Sequence, residues 1–112
     1  MKYDIRIDEH GTKRYYINNV LHREDGPAIE TPEGTEVWYK NGVNHRDNGP
    51  AIKYYDGEKH WIKNGIFHRE DGPAIENVTG YREWWINGKL YGINNDFTNK
   101  SWITFIKTLI FS

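Results

Sequence analysis

The sequence predicts a mainly β fold, in which short hairpins from 23-residue repeats form an elongated, twisted meander with one C-terminal amphipathic helix. Three observations carry this expectation. The octet His22-Arg23-Glu24-Asp25-Gly26-Pro27-Ala28-Ile29 returns as His45-Arg46-Asp47-Asn48-Gly49-Pro50-Ala51-Ile52. It returns again as His68-Arg69-Glu70-Asp71-Gly72-Pro73-Ala74-Ile75, each time at a step of 23 residues. A fixed period of that size marks a stacked repeat. Each repeat also carries an Asn-Gly or Asn-Asn pair between apolar runs, and a second glycine that marks another turn. The tail then abandons alternation for apolar spacings of three and four.

The columns justify the elements in order. Gly11, Gly34, Gly57 and Gly80 form a first turn column, with Asp56-Gly57 its strongest member and Glu33-Gly34 and Thr79-Gly80 weaker ones. Four residues on stand Tyr15, Trp38, Trp61 and Trp84, each followed by Tyr16, Tyr39, Ile62 or Trp85. The pairs Asn18-Asn19, Asn41-Gly42, Asn64-Gly65 and Asn87-Gly88 come next. Asn-Gly between apolar runs predicts a type I′ hairpin turn, because both central residues need positive φ. Two turns per repeat imply two strands, and residues 58–63 with 43–46 read as a hairpin, with 51–55 leading to the next turn. The Glu-Asp-Gly-Pro segment reads as a type I turn closed by a left-handed glycine, after which proline sets the strand entry.

Tyr91-Gly92 stands where a fourth His-Arg would fall. Three full repeats thus lie between a degenerate opening segment and a truncated exit, as the capping of a stacked array requires. From Asp96 onward, Trp102, Phe105, Ile106, Leu109 and Ile110 share one helical face, with Asp96 or Thr98 as N-cap. Residues 1–112 are therefore expected to form a single repeat domain. Residues 1–92 supply the β repeats and 93–112 the tail. Its helix, through Trp102, Ile106 and Leu109, is expected either to cap the sheet or to pair two subunits as a homodimer.

Composition narrows the functional classes. Net charge is −1 with 28% charged residues, so no basic field argues for nucleic acid or anionic lipid. Cysteine is absent, which removes disulfides and zinc–thiolate sites and fits a reducing cytoplasm. The N-terminal Met-Lys-Tyr-Asp-Ile-Arg does not follow a signal-peptide pattern, and the most apolar stretch, 102–111, is too short to span a bilayer. Aromatics make up 15% of the chain and are expected to carry the core.

Trp38-Tyr39-Lys40-Asn41-Gly42 and the run from Glu83 through Trp84-Trp85-Ile86-Asn87-Gly88 to Gly92 resemble MORN repeats, over roughly residues 11–92. The family's Gly-x-Gly after the hairpin is replaced here by Arg-x-x-Gly-Pro-Ala. The chain therefore resembles a MORN-like variant of the kind met in bacterial and phage genomes. The resemblance implies successive hairpins and a scaffolding or binding role, with toxin neutralisation among the roles of some bacterial forms. It supplies no catalytic residue.

The recurring polar residues admit a bland reading and a chemical one. His22, His45 and His68 invite a metal site, but equivalent positions two strands apart lie roughly 9.5 Å from each other. Zinc needs its ligand atoms within about 2 Å. Histidines that hydrogen-bond a turn are the simpler expectation, unless the repeat is a one-rung solenoid that halves the spacing. Arg23, Arg46 and Arg69 neighbour carboxylates in every repeat and are expected to bridge to a carboxylate or turn carbonyl of the adjoining repeat. The alternative is an anion or nucleotide pocket. His-Arg-Asp also resembles a kinase catalytic loop, but no other kinase motif is present. Ser101 and Ser112 are the only serines. Trp38, Trp61 and Trp84 should point to one sheet face and Tyr39, Ile62 and Trp85 to the other.

With one helix to cover the sheet, one face should keep an aromatic strip open to solvent, as partner surfaces do, unless the sheet curls tightly; the alternative is that one column forms the core and long Lys, Arg and Glu stems shield the other. The expectation is a non-enzymatic, cofactor-free protein-binding module that works by surface occupation. A phage inhibitor of a host defence complex, or an antitoxin-like neutraliser, would be examples. The expected contact residues are Trp38, Tyr39, Arg46, Trp61, Arg69 and Trp85. The second expectation is a binder of a nucleotide or other small phosphorylated ligand, through the arginine and aromatic columns.

Overall fold

The two turns of each repeat build two kinds of hairpin, and the computed structural model, which describes residues 2–110, shows how they join. Counting from each glycine of the first column, the repeats are residues 11–33, 34–56 and 57–79. The opening strand β1 (Asp4–Ile7) pairs with β2 (Lys13–Ile17), which also holds the two-residue β3 (Val20–Leu21). The sheet continues antiparallel through β4 (Ile29–Glu30) and β5 (Glu36–Val37) to β8 (Ile52–Lys53) and β9 (Lys59–His60). It ends with β12 (Ile75–Glu76), β13 (Arg82–Ile86) and β14 (Lys89–Ile93). The strand order runs from β1 to β14 without closing, so the sheet is an open meander. The molecule measures 46 × 31 × 18 Å.

Between these strands the Asn-Gly turns make separate small hairpins, β6 (Tyr39–Lys40) with β7 (Val43–Asn44) and β10 (Ile62–Lys63) with β11 (Ile66–Phe67). This corrects the expected pairing of residues 58–63 with 43–46. The chain leaves the main sheet at Trp38 and at Trp61, so each long strand is split into a sheet segment and a hairpin segment. The two hairpin series still touch, through single bonds such as Arg46 N–H to the Ile62 carbonyl (3.1 Å) and Gly65 N–H to the Asn44 carbonyl (2.9 Å).

The Asn-Gly turns have the predicted geometry: Asn64 and Gly65 lie at φ 52° and 81°. Replacing Gly65 with valine therefore forces a β-branched residue into the left-handed region, although its Cβ would meet Val43 Cγ1 only at an ordinary 3.4 Å. The expected loss is about 1–3 kcal/mol, read as a lower melting temperature. An unchanged melting temperature would show that this turn does not hold the register.

The glycine of Gly-Pro-Ala has a different reason from the expected one. Gly26, Gly49 and Gly72 are absent from the residues at positive φ, so no left-handed glycine closes these turns. A Cβ on Gly72 would lie 2.7 Å from the Arg69 Cζ, and Gly26 and Gly49 stand in the same relation to Arg23 and Arg46. A side chain at this position would push the guanidinium off the turn.

The tail forms α1 (Asn99–Ile110) as predicted. Thr98 is its N-cap: Thr98 Oγ1 accepts the Ser101 N–H at 3.1 Å and Ser101 Oγ accepts the Thr98 N–H at 2.9 Å. Asp96 instead accepts the Ile93 N–H ahead of a short 3-10 turn, Asn94–Asp96. The helix buries Trp102 and Ile106 against Trp84, with Ile86, Tyr91, Phe97 and Phe105 around them. In the three repeats an arginine covers the aromatic of that column. At Trp84 the corresponding residue is Gly92, and the tail supplies the cover.

Candidate functional site

The recurring octet places its histidine and arginine in two different jobs. His22 Nδ1 accepts the Asn41 N–H at 2.8 Å, His45 Nδ1 that of Asn64 at 2.8 Å, and His68 Nδ1 that of Asn87 at 3.0 Å. In each case the asparagine opens the next repeat's turn. With Nδ1 accepting, the neutral ring carries its proton on Nε2, where Glu24, Asp47 and Glu70 lie at 2.8, 3.0 and 3.0 Å. Both ring nitrogens are thus engaged, as expected of histidines that bind a turn. Among the described residues no three metal-binding side chains converge.

The arginines close their own repeat, and this corrects the expected bridge to the adjoining one. Arg23, Arg46 and Arg69 stack on Tyr15, Trp38 and Trp61, with Cζ 4.0, 3.9 and 3.8 Å from the ring centroids. Nη1 of each donates to the carbonyl of Pro27, Pro50 or Pro73. Arg23 adds Asp25 and Glu30, and Arg69 adds Asp71 and Glu76. The guanidinium thereby covers one face of the ring on which a base would stack.

The aromatic columns are less open than a bare sheet face would be. In the first, Tyr15 and Trp84 are buried, while Trp38 and Trp61 are half-buried under their arginines. In the second, Ile62 is buried and Tyr39 and Trp85 are half-buried. Five of the six expected contact residues still converge. A shallow groove of about 280 Å³ is lined by Trp38, Tyr39 and Arg46, and its neighbour of about 430 Å³ by Arg46, Trp61 and Arg69. Trp85 lies in neither. It packs on Phe67 at 5.1 Å and donates Nε1–H to Glu83 at 2.8 Å. Trp61 Nε1 is buried with no partner among the described residues.

One exposed row escaped sequence reasoning. Val20, Val43 and Ile66 follow the hairpin turns and are 42%, 42% and 44% exposed. Val20 and Val43 each rest beside the turn glycine of the next repeat, near Gly42 and Gly65, and Ile66 beside Gly88. Their place directly after each turn pair was the available signal, since a residue leaving a two-residue turn lies at the tip of its hairpin.

Perturbed ionisations are local and lie outside these grooves. A hydrogen bond from Arg14 holds the Asp8 carboxyl below its usual range, burial raises Tyr54, and the bond to Glu83 raises Tyr81. None of them pairs an acid with a base across a cleft. No helix among the described residues is long and apolar enough to cross a membrane. Fold and site together define a β-hairpin repeat protein whose grooves are lined by arginine and aromatic side chains. Comparison with family models, curated proteins and solved structures found no match to this chain.

Proposed function

We propose that this chain is a non-enzymatic protein-binding module that works by occupying a partner's surface. The observation that carries the reading is the pair of adjoining grooves in which Trp38, Tyr39 and Trp61 stand beside Arg46 and Arg69. Interface hot spots are rich in these residue types. The exposed row of Val20, Val43 and Ile66 adds apolar area at the hairpin tips. A module of this kind suits inhibition in a cytoplasm. A phage inhibitor of a host defence complex and an antitoxin-like neutraliser both fit the MORN-like resemblance. Trp102 and Ile106 are buried within the chain, which supports a capping tail over a homodimer.

A partner recovered by affinity capture would allow the test. Single alanine changes at Trp38, Tyr39 and Trp61 are expected to weaken its binding at least 10-fold, about 1.4 kcal/mol, in variants that still fold. If every weakened variant were also unfolded, these residues would belong to the core alone. Turnover abolished by changing a repeat histidine would establish an enzyme instead.

A further inference from the structure

Two of the three equivalent arginines are closed by carboxylates of the chain itself, and the third is not. Arg23 is held by Asp25 and Glu30, both at 3.2 Å, and Arg69 by Asp71 at 2.9 Å and Glu76 at 3.3 Å. In the middle repeat those two places are taken by Asn48 and Lys53. Arg46 keeps its ring, Trp38, and its turn carbonyl, Pro50, but makes no ion pair among the described residues. Its Nε, which bonds an aspartate in both flanking repeats, has no acceptor and is not sealed from solvent.

The carboxylates that line the two grooves beside Arg46 already have partners, Glu24 with His22 among them. The groove beside Arg46 also holds Asp47, Glu70 and Asp71, which are bound to His45, His68 and Arg69. Lys53 lies between Glu36 and Lys59 in the strand pairing and forms no ion pair with Glu36. Among the described residues, the middle repeat therefore presents a guanidinium and an exposed ammonium with no carboxylate paired to either.

We infer that the middle repeat takes a carboxylate from outside the chain: the side chain of an aspartate or glutamate on a protein partner, bound by Arg46 with Lys53 and Asn48 beside it. The fold itself shows, twice, that a carboxylate at Nε and another near Nη1 are what complete this arginine. The planar fork matches a carboxylate geometrically. The inference deepens the binding-module reading and rests on it for the identity of the donor.

The test uses the full chain, labelled so that the Nε–Hε signals of Arg23, Arg46 and Arg69 are followed by NMR. It is titrated separately with glutarate and with inorganic phosphate at constant ionic strength. Glutarate is expected to shift Arg46 saturably and to leave Arg23 and Arg69 in place. The double change Asn48→Asp, Lys53→Glu rebuilds the flanking pattern, and should abolish the response while leaving the melting temperature no lower. The reciprocal Asp71→Asn, Glu76→Lys should create a response at Arg69. Absence of a saturable shift, equal shifts at all three arginines, or tighter half-saturation by phosphate would overturn the carboxylate site. No partner is needed for these readouts, so their failure is distinct from failure of the alanine variants to lose partner binding.

Discussion

Replacing Trp102 with alanine is expected to lower the unfolding free energy by about 3–5 kcal/mol, the usual cost of emptying a buried tryptophan site. Trp102 has no exposed surface and sits among Phe97 at 4.9 Å, Trp84 at 5.5 Å, Phe105 at 5.9 Å and Tyr91 at 6.2 Å. Its Nε1–H also donates to the Arg69 carbonyl at 2.9 Å, which ties the tail to the third repeat. The cavity cannot close easily, because rings surround it on several sides and one of them, Trp84, is held by its own hydrogen bond to the Asn94 carbonyl. Denaturant unfolding measures the loss, with Ile103→Ala on the exposed side of α1 as a control expected within about 0.5 kcal/mol of the parent. A loss below about 1 kcal/mol for Trp102→Ala would mean that the tail does not stabilise the sheet.

Ending the chain after Gly92 is expected to produce aggregation. Tyr15, Trp38 and Trp61 each keep an arginine within 4.0 Å of the ring centroid, whereas over Trp84 the nearest, Arg82, stands at 6.0 Å and the tail packs on the ring, which also gives its Nε1–H to the Asn94 carbonyl at 3.0 Å. A tryptophan buries about 150–250 Å², so uncovering this one forfeits at most roughly 4–6 kcal/mol at 25 cal/mol per Å². Tyr91 and Ile86 are uncovered with it, leaving an apolar patch at the end of an open sheet. Light scattering should detect the associated species. A soluble truncated protein of unchanged mass and stability would contradict the capping role.

Much of the fold was legible because it is written in short-range signals. The turn pairs reported their own positive φ, since Asn64 and Gly65 adopt it for reasons local to four residues. The spacing of Trp102, Phe105 and Ile106 reported a helix face, and the choice between Asp96 and Thr98 as cap was already narrowed to two residues. The candidate site was legible only as columns. Placing Trp38, Tyr39 and Trp61 beside Arg46 requires knowing that successive octets lie side by side. Trp85 stands apart from these grooves, because alternation says only which side of a strand a residue takes. It does not say what fills that side, and here Phe67 does.

By itself the sequence determined the 23-residue period, the hairpin turns, the β meander and the helix that ends it, while the strand order showed that the meander stays open. Each of these follows from backbone preferences and apolar spacing within one repeat. Only the tertiary structure decided that histidine links repeats while arginine closes its own, and that Gly72 is glycine for the sake of a guanidinium rather than a left-handed turn. It also decided that the tail takes the place of the fourth arginine over Trp84. These are matters of which group reaches a given space first. A one-dimensional pattern states which groups compete, and the distances between stacked repeats settle the competition.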